Sequence, residues 1–139
     1  MLEIVSAISL WELVKHTGRW IGNLQRARIA RKRESVEALR KVILAARRTT
    51  IYLRRLRETG RRDHRSETEI ALLWTELGFA LEDLGIGKLA KRCRIKGIEW
   101  AEPDRLDSDY LEKADVGLER MEELAGEILR EIDRPAHIK

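Results

Sequence analysis

Apolar residues recur along this chain at three- and four-residue steps, and the recurrence predicts four helices. The first starts near Leu2 and carries Ile4, Ile8, Trp11, Val14 and Ile21 on one side, with Gly18 and Gly22 four apart inside it. Those glycines allow a close helix contact or weaken the helix locally. Between Leu24 and Val36 the stripe lapses, because the positions that would continue it are Gln25, Arg28, Arg31, Lys32 and Ser35. A face that polar does not pack into a core, so a turn is expected near residues 31–35, with Ser35 capping the next helix. The alternative is a break at Thr17-Gly18 followed by one helix to residue 59.

The second predicted helix runs from Ser35 to Thr59 and turns Val36, Leu39, Val42, Ile43, Ala46, Thr50, Leu53 and Leu56 inward, with Gly60 as a left-handed stop. The third opens on "SETE" at 66–69, a capping-box pattern between Ser66 and Glu69. Its inner face is Ile70, Leu73, Trp74, Leu77, Leu81 and Leu84, and Gly85 ends it. A short basic helix over "GKLAKRCRIKG" (87–97) follows, then a linker through Trp100 and Pro103. The fourth begins near Asp107 or Ser108 and shows a heptad stripe of Leu111, Ala114, Leu118, Met121, Ala125, Ile128 and Ile132 until Pro135.

No stretch alternates apolar and polar residues over strand length, and no Asn-Gly or Asp-Gly hairpin signal occurs. The expected fold is all-α: an antiparallel four-helix bundle with a short extra helix between helices 3 and 4, residues 1–139 forming a single domain. A chain of 139 residues with 43% apolar and 37% charged residues can bury one core without metals or disulfides. The single cysteine, Cys93, excludes an internal disulfide and fits a reducing compartment. The apolar N-terminal run, Ile4–Trp11, is far shorter than the ~20 residues a spanning helix needs, and Glu3 stands where a secretory signal wants a base. A cytoplasmic protein with no membrane span is expected. The tryptophans at 11, 20, 74 and 100 read as fillers of core or interface.

Charge changes the picture. Residues 19–65 hold sixteen Lys and Arg against four acids, a net +12, whereas residues 107–133 hold ten acids against three bases, a net −7. Within the basic segment the pairs Arg40-Lys41, Arg47-Arg48 and Arg54-Arg55 step by seven, and Arg33 keeps the count upstream. Seven-residue spacing drifts only about 20° per step on a helix. Arg40, Arg47 and Arg54 therefore line one flank, and Lys41, Arg48 and Arg55 a second flank about 100° further round. Leu44 and Ile51 lie between the columns, with Tyr52 at the edge.

A narrow apolar strip walled by bases, on a face that should meet water, implies a partner. One reading pairs the arginines with Glu112, Asp115, Glu119 and Glu122 of helix 4. Helices 2 and 4 are diagonal in an up-down bundle, so that pairing is expected between two copies rather than within one. The leading expectation is a homo-oligomer, a dimer in the simplest case, or docking on an acidic protein. The alternative is sequence-independent binding of DNA or RNA through the phosphate backbone by residues 26–65. No zinc-finger, RNA-binding aromatic or helix-turn-helix pattern accompanies the charge. A membrane-surface helix fits less well, because the apolar N-terminal segment and the basic segment are separate.

Catalytic chemistry finds little support. The histidines are His16, His64 and His137; no paired Glu-x-x-His, phosphate loop or nucleophile motif occurs, and no cofactor or metal is expected. Arg57 and His64, like Arg130 and His137, have six residues between them, a spacing that resembles the Arg–His pairs of helical-bundle ribonucleases of the higher-eukaryote and prokaryote nucleotide-binding class. In so arginine-rich a chain that spacing arises readily, and both histidines fall outside the predicted helices, so ribonuclease activity is a remote alternative. The chain is read as a non-enzymatic interaction module.

Overall fold

The computed structural model describes the backbone of residues 17–133 and the side chains of residues 31–132. Residues 1–16 of the first predicted helix, His16 among them, and His137 lie outside the described residues, as do the side chains of Trp11 and Trp20. The chain divides into two compact units, Met1–Arg33 and Glu34–Lys139. The described part of the first is helical backbone from Thr17; the second holds the packed core.

The fold is an all-α bundle, and no strand occurs among the described residues. Its elements are α1 (Thr17–Thr59), α2 (His64–Asp83), α3 (Gly87–Ala101), a 3-10 turn at Pro103–Arg105, the short α4 (Ser108–Ala114) and α5 (Leu118–Asp133). Four helices share one core: Leu39 and Val42 from α1, Ile70, Trp74, Leu77 and Leu81 from α2, Leu89 and Cys93 from α3, Met121 and Ala125 from α5. The short helix expected over 87–97 is a 15-residue member of that core, and the short helix before the last long one is α4.

Residues 31–35 are helical, so the expected turn there is absent and the single helix to Thr59 is what forms. From Asn23 to Thr59 the chain contains neither Gly nor Pro. A polar face costs a helix nothing where water covers it, and Arg, Lys, Ala and Glu are good helix formers. The buried stripe of α1 is also turned from the expected one: Ala38, Leu39, Val42, Ala45, Ala46, Thr49 and Tyr52 are buried, while Thr50 is exposed. Thr49 is drawn inside by Trp74, whose indole N–H donates to Thr49 Oγ1 at 3.0 Å. A buried indole N–H needs an acceptor, and Thr49 supplies one.

The glycine stops are as the sequence implies. Gly60 has φ 68° and Gly85 φ 80°. At the second, Ile86 N–H reaches Leu81 O and Gly85 N–H reaches Glu82 O, the paired bonds of a Schellman ending. The start of α2 differs from the expected Ser66–Glu69 box. Asp63 is the cap: its carboxylate accepts from Arg65 N–H at 3.1 Å and from the Ser66 hydroxyl at 2.8 Å. The helix therefore begins at His64, which is inside α2 rather than in a loop.

The last helix is broken where an unbroken one was expected. Asp115 adopts φ 56°, ending α4, and Gly117 precedes α5. The sequence "DVG" supplies a residue tolerant of the left-handed region and a glycine two positions on, while Val116 between them is buried. The heptad spacing survives across the break, which is why the apolar pattern alone does not register it.

α2 and α3 approach closely through small residues. A Cβ on Gly97 would stand 2.3 Å from Thr75 Oγ1 and 3.3 Å from Ala71 O; one on Gly78 would stand 3.3 Å from Ala90 O. The two glycines lie in different helices, so each helix yields space to the other.

Candidate interaction surface

The outward face of α1 follows from its buried one. Ala38, Val42, Ala45, Thr49, Tyr52 and Leu56 step by four and three, which holds one side of the helix against the core. Leu44 and Ile51 fall on the opposite side, 64% and 43% exposed. Arg40, Lys41, Arg47, Arg48, Arg54 and Arg55 are all exposed beside them. Arg33 is exposed and belongs to the first compact unit.

The six bases of this face are not equivalent. Arg47 Nε donates to Glu122 Oε1 at 2.9 Å, Arg48 pairs with Glu69, and Lys41 Nζ stands 4.0 Å from Glu37 Oε1. Arg40, Arg54 and Arg55 have no carboxylate partner among the described residues. The Arg47–Glu122 bond corrects the expectation that the basic flank of α1 and the acidic flank of the last helix cannot meet within one chain. α5 shares the core with α1 and reaches it at this pair. Asp115 is likewise engaged, accepting from Arg120 Nε at 2.9 Å. Both pairs are water-exposed and contribute only about 0–1 kcal/mol each; their consequence is to occupy charge.

Tyr52 is not part of the outward strip. It is 8% exposed, and its ring meets Trp100 edge-on with centroids 5.7 Å apart. Its hydroxyl donates to Glu67 and accepts from Asp63 N–H at 3.0 Å. Arg62 grips the same carboxylate with two bonds, Nε to Oε2 at 3.0 Å and Nη2 to Oε1 at 2.7 Å. The Arg62 fork and the Tyr52 hydroxyl hold the Glu67 carboxyl down at about 2, well below its ordinary 4.5, while burial pushes the Tyr52 phenol up. This cluster fixes the α1–α2 connection, a structural role that the sequence pattern of Tyr52 does not disclose.

Beside it lies a cleft of about 320 Å³ lined by Leu53, Leu56, Trp100, Pro103 and the Lys96–Glu99 ion pair, whose Nζ–Oε1 distance is 2.8 Å. Lys96 is buried, and its charge is balanced where it sits. No group of His, Cys, Asp and Glu that could hold a metal occurs among the described residues. Cys93 is fully buried, with its thiol pushed up to about 12 by burial. His64 Nδ1 lies 4.0 Å from Glu67 Oε1 at the exposed start of α2, and Arg57 is exposed. No described helix is long and apolar enough to cross a membrane.

A second exposed apolar pair escaped the sequence pattern. Leu72 and Phe79 of α2 are 56% and 57% exposed, seven residues apart, with the exposed Glu76 between them. The signal was present as two large apolar residues left over once the inner stripe of α2 had been assigned. Compared with known proteins, the chain matches no family model, no curated protein and no solved structure.

Proposed function

We propose that this chain is a non-enzymatic interaction module whose outward α1 face docks on an acidic protein surface, a second copy of the chain being the first candidate. One observation carries the reading: Leu44 and Ile51 stand exposed opposite the core, between columns in which Arg40, Arg54 and Arg55 have no carboxylate partner among the described residues. Exposed apolar residues are ordinary one at a time. A pair in register, walled by uncompensated guanidiniums, combines short-range contact with long-range attraction. Complementary charge of this kind accelerates encounter and rejects basic partners.

The same unpaired arginines favour a second reading, sequence-independent binding of nucleic acid. Phosphates would replace the missing carboxylates, and affinity would fall steeply with salt. Leu44 and Ile51 contribute nothing to a phosphate contact, and Tyr52, buried against Trp100, offers no ring for stacking on a base. Those two facts favour the protein partner.

Sedimentation velocity of the full chain at moderate salt, alone and with a duplex of mixed sequence, separates the readings. A species heavier than the 16.2 kDa chain is expected, dissolved by Leu44→Glu with Ile51→Glu while helicity is unchanged. A chain that stays monomeric and retards the duplex in a salt-sensitive way would transfer the face to nucleic acid.

A further inference from the structure

We propose that the outward strip of α2, Leu72 and Phe79 with Glu76 between them, is the surface on a second copy of this chain that receives the basic strip of α1. The proposal rests on the reading of α1 as a docking face and names what docks there. Four of the five large apolar side chains exposed among the described residues belong to these two strips; Tyr110 is the fifth. Each strip is a pair seven residues apart, so each spans about 10.5 Å along its helix at 1.5 Å per residue. Equal spacing lets the two pairs interdigitate when the helices lie side by side, as facing side chains do in helix pairing. Both pairs point away from their own helix's buried residues, Val42 and Thr49 on α1, Trp74 and Leu81 on α2, and so have no place in their own core.

Charge agrees with shape. Residues 66–83 carry five acids and no base; Glu67, Glu69 and Glu82 are paired within the chain, to Arg62, Arg48 and Arg94, and Asp83 is engaged as well, so the charge offered outward is that of Glu76. Glu76 is exposed between the two apolar residues and has no basic partner among the described residues, the mirror of Arg40, Arg54 and Arg55. The last helix is acidic too, with Glu122 holding Arg47, but among the described residues it exposes no large apolar side chain. α2 is the helix in which an unpaired acid, Glu76, stands between two exposed apolar residues in matching register.

Because the contact joins two different surfaces, variants in one can complement variants in the other. Leu44→Glu with Ile51→Glu destroys only the α1 strip; Leu72→Glu with Phe79→Glu destroys only the α2 strip. Each double variant alone is expected to sediment as a monomer with unchanged helicity, since all four positions are solvent-facing. Mixed in equal amounts, they are expected to form a 1:1 species of twice the 16.2 kDa chain, one supplying an intact α1 strip and the other an intact α2 strip. A mixture that stays monomeric overturns the proposal. Assembly by the α2 variant alone, with loss of assembly in the α1 variant, also overturns it but leaves α1 as a docking face for some other surface. Wild-type-like assembly in both variants removes the proposal together with its premise; a wild-type chain that is itself monomeric overturns the proposal and leaves α1 as a docking face for a different acidic protein. Glu76→Lys, which adds no apolar change, is expected to weaken assembly about tenfold or more; unchanged association in that variant would contradict the charge match.

Discussion

Replacing Gly97 with alanine tests the close contact between α2 and α3. The new Cβ would lie 2.3 Å from Thr75 Oγ1, 3.1 Å from Thr75 N and 3.3 Å from Ala71 O. Unstrained non-bonded carbon contacts settle near 3.5–4.0 Å, roughly, so the overlap is large. The Thr75 hydroxyl is not free to swing aside, because it donates to Ala71 O at 2.8 Å. The other two atoms are backbone, so the helices must separate. Overpacking of this kind costs about 1–3 kcal/mol, while alanine's better helix propensity offsets up to about 1 kcal/mol. A net loss of about 1–2 kcal/mol is expected. Gly126→Ala in α5 is the control: its nearest foreign atom is Arg130 Nη1, at 3.5 Å on a flexible side chain. There propensity acts unopposed, for a gain of about 0.5–1 kcal/mol. Urea unfolding followed by far-ultraviolet circular dichroism should therefore move the two midpoints in opposite directions, about 1 M apart at an m-value of about 2 kcal/mol/M. Adding Thr75→Ala to Gly97→Ala should recover part of the loss, a coupling that two independent sites would lack. A Gly97→Ala protein at least as stable as wild type would refute the close approach.

Two further predictions concern the half-buried Glu67 and the buried Cys93. Glu67 titrates near 2 in the fold and near 4.5 when unfolded, so its contribution is complete above about pH 4.5 and is lost as pH falls from there toward 2. The shift corresponds to an upper limit of about 3 kcal/mol, and the water-exposed Arg62 partner brings the expected cost of Glu67→Gln at pH 7 to about 1–3 kcal/mol. Urea midpoints measured from pH 7 to pH 2 should show the two proteins converging at the acid end; a constant gap would contradict the assignment. Cys93, fully buried with its thiol pushed up to about 12, should resist a thiol reagent in the folded protein and react at the rate of unfolding. Labelling at the rate of a free thiol would contradict its burial.

What the sequence disclosed follows from which residues carry their own conformational cause. Gly60 and Gly85 ended helices because glycine adopts positive φ without strain. Trp74 lay inward because it falls on the helical stripe of Ile70, Leu77 and Leu81. The misreadings share another origin. Residues 31–35 break the apolar stripe without breaking the helix, because polarity without Gly or Pro only says that water covers the face. The inner face of α1 turned toward Ala38, Ala45, Thr49 and Tyr52 because partners in α2 and α3 select it: Trp74 needs the Thr49 hydroxyl, and Glu67, Asp63 and Trp100 receive Tyr52. Such choices belong to tertiary contacts and leave no mark on one helix's periodicity. The break at Asp115 was hidden because the heptad resumes in step beyond it. For the surface itself, the columns and the apolar strip were legible as positions. Which arginines keep their charge uncompensated was not, because that depends on Glu69 and Glu122 arriving from other helices.

The central claim is that protein covers the outward face of α1. Because Cys93 is buried, a Leu44→Cys variant carries one accessible thiol among the described residues, placed in the strip itself. Its labelling rate, measured across a range of protein concentrations, reads the cover directly. Protection that rises with concentration and is abolished by adding Ile51→Glu is the predicted result. A rate equal to that of a free thiol at every concentration, with or without Ile51→Glu, would contradict it.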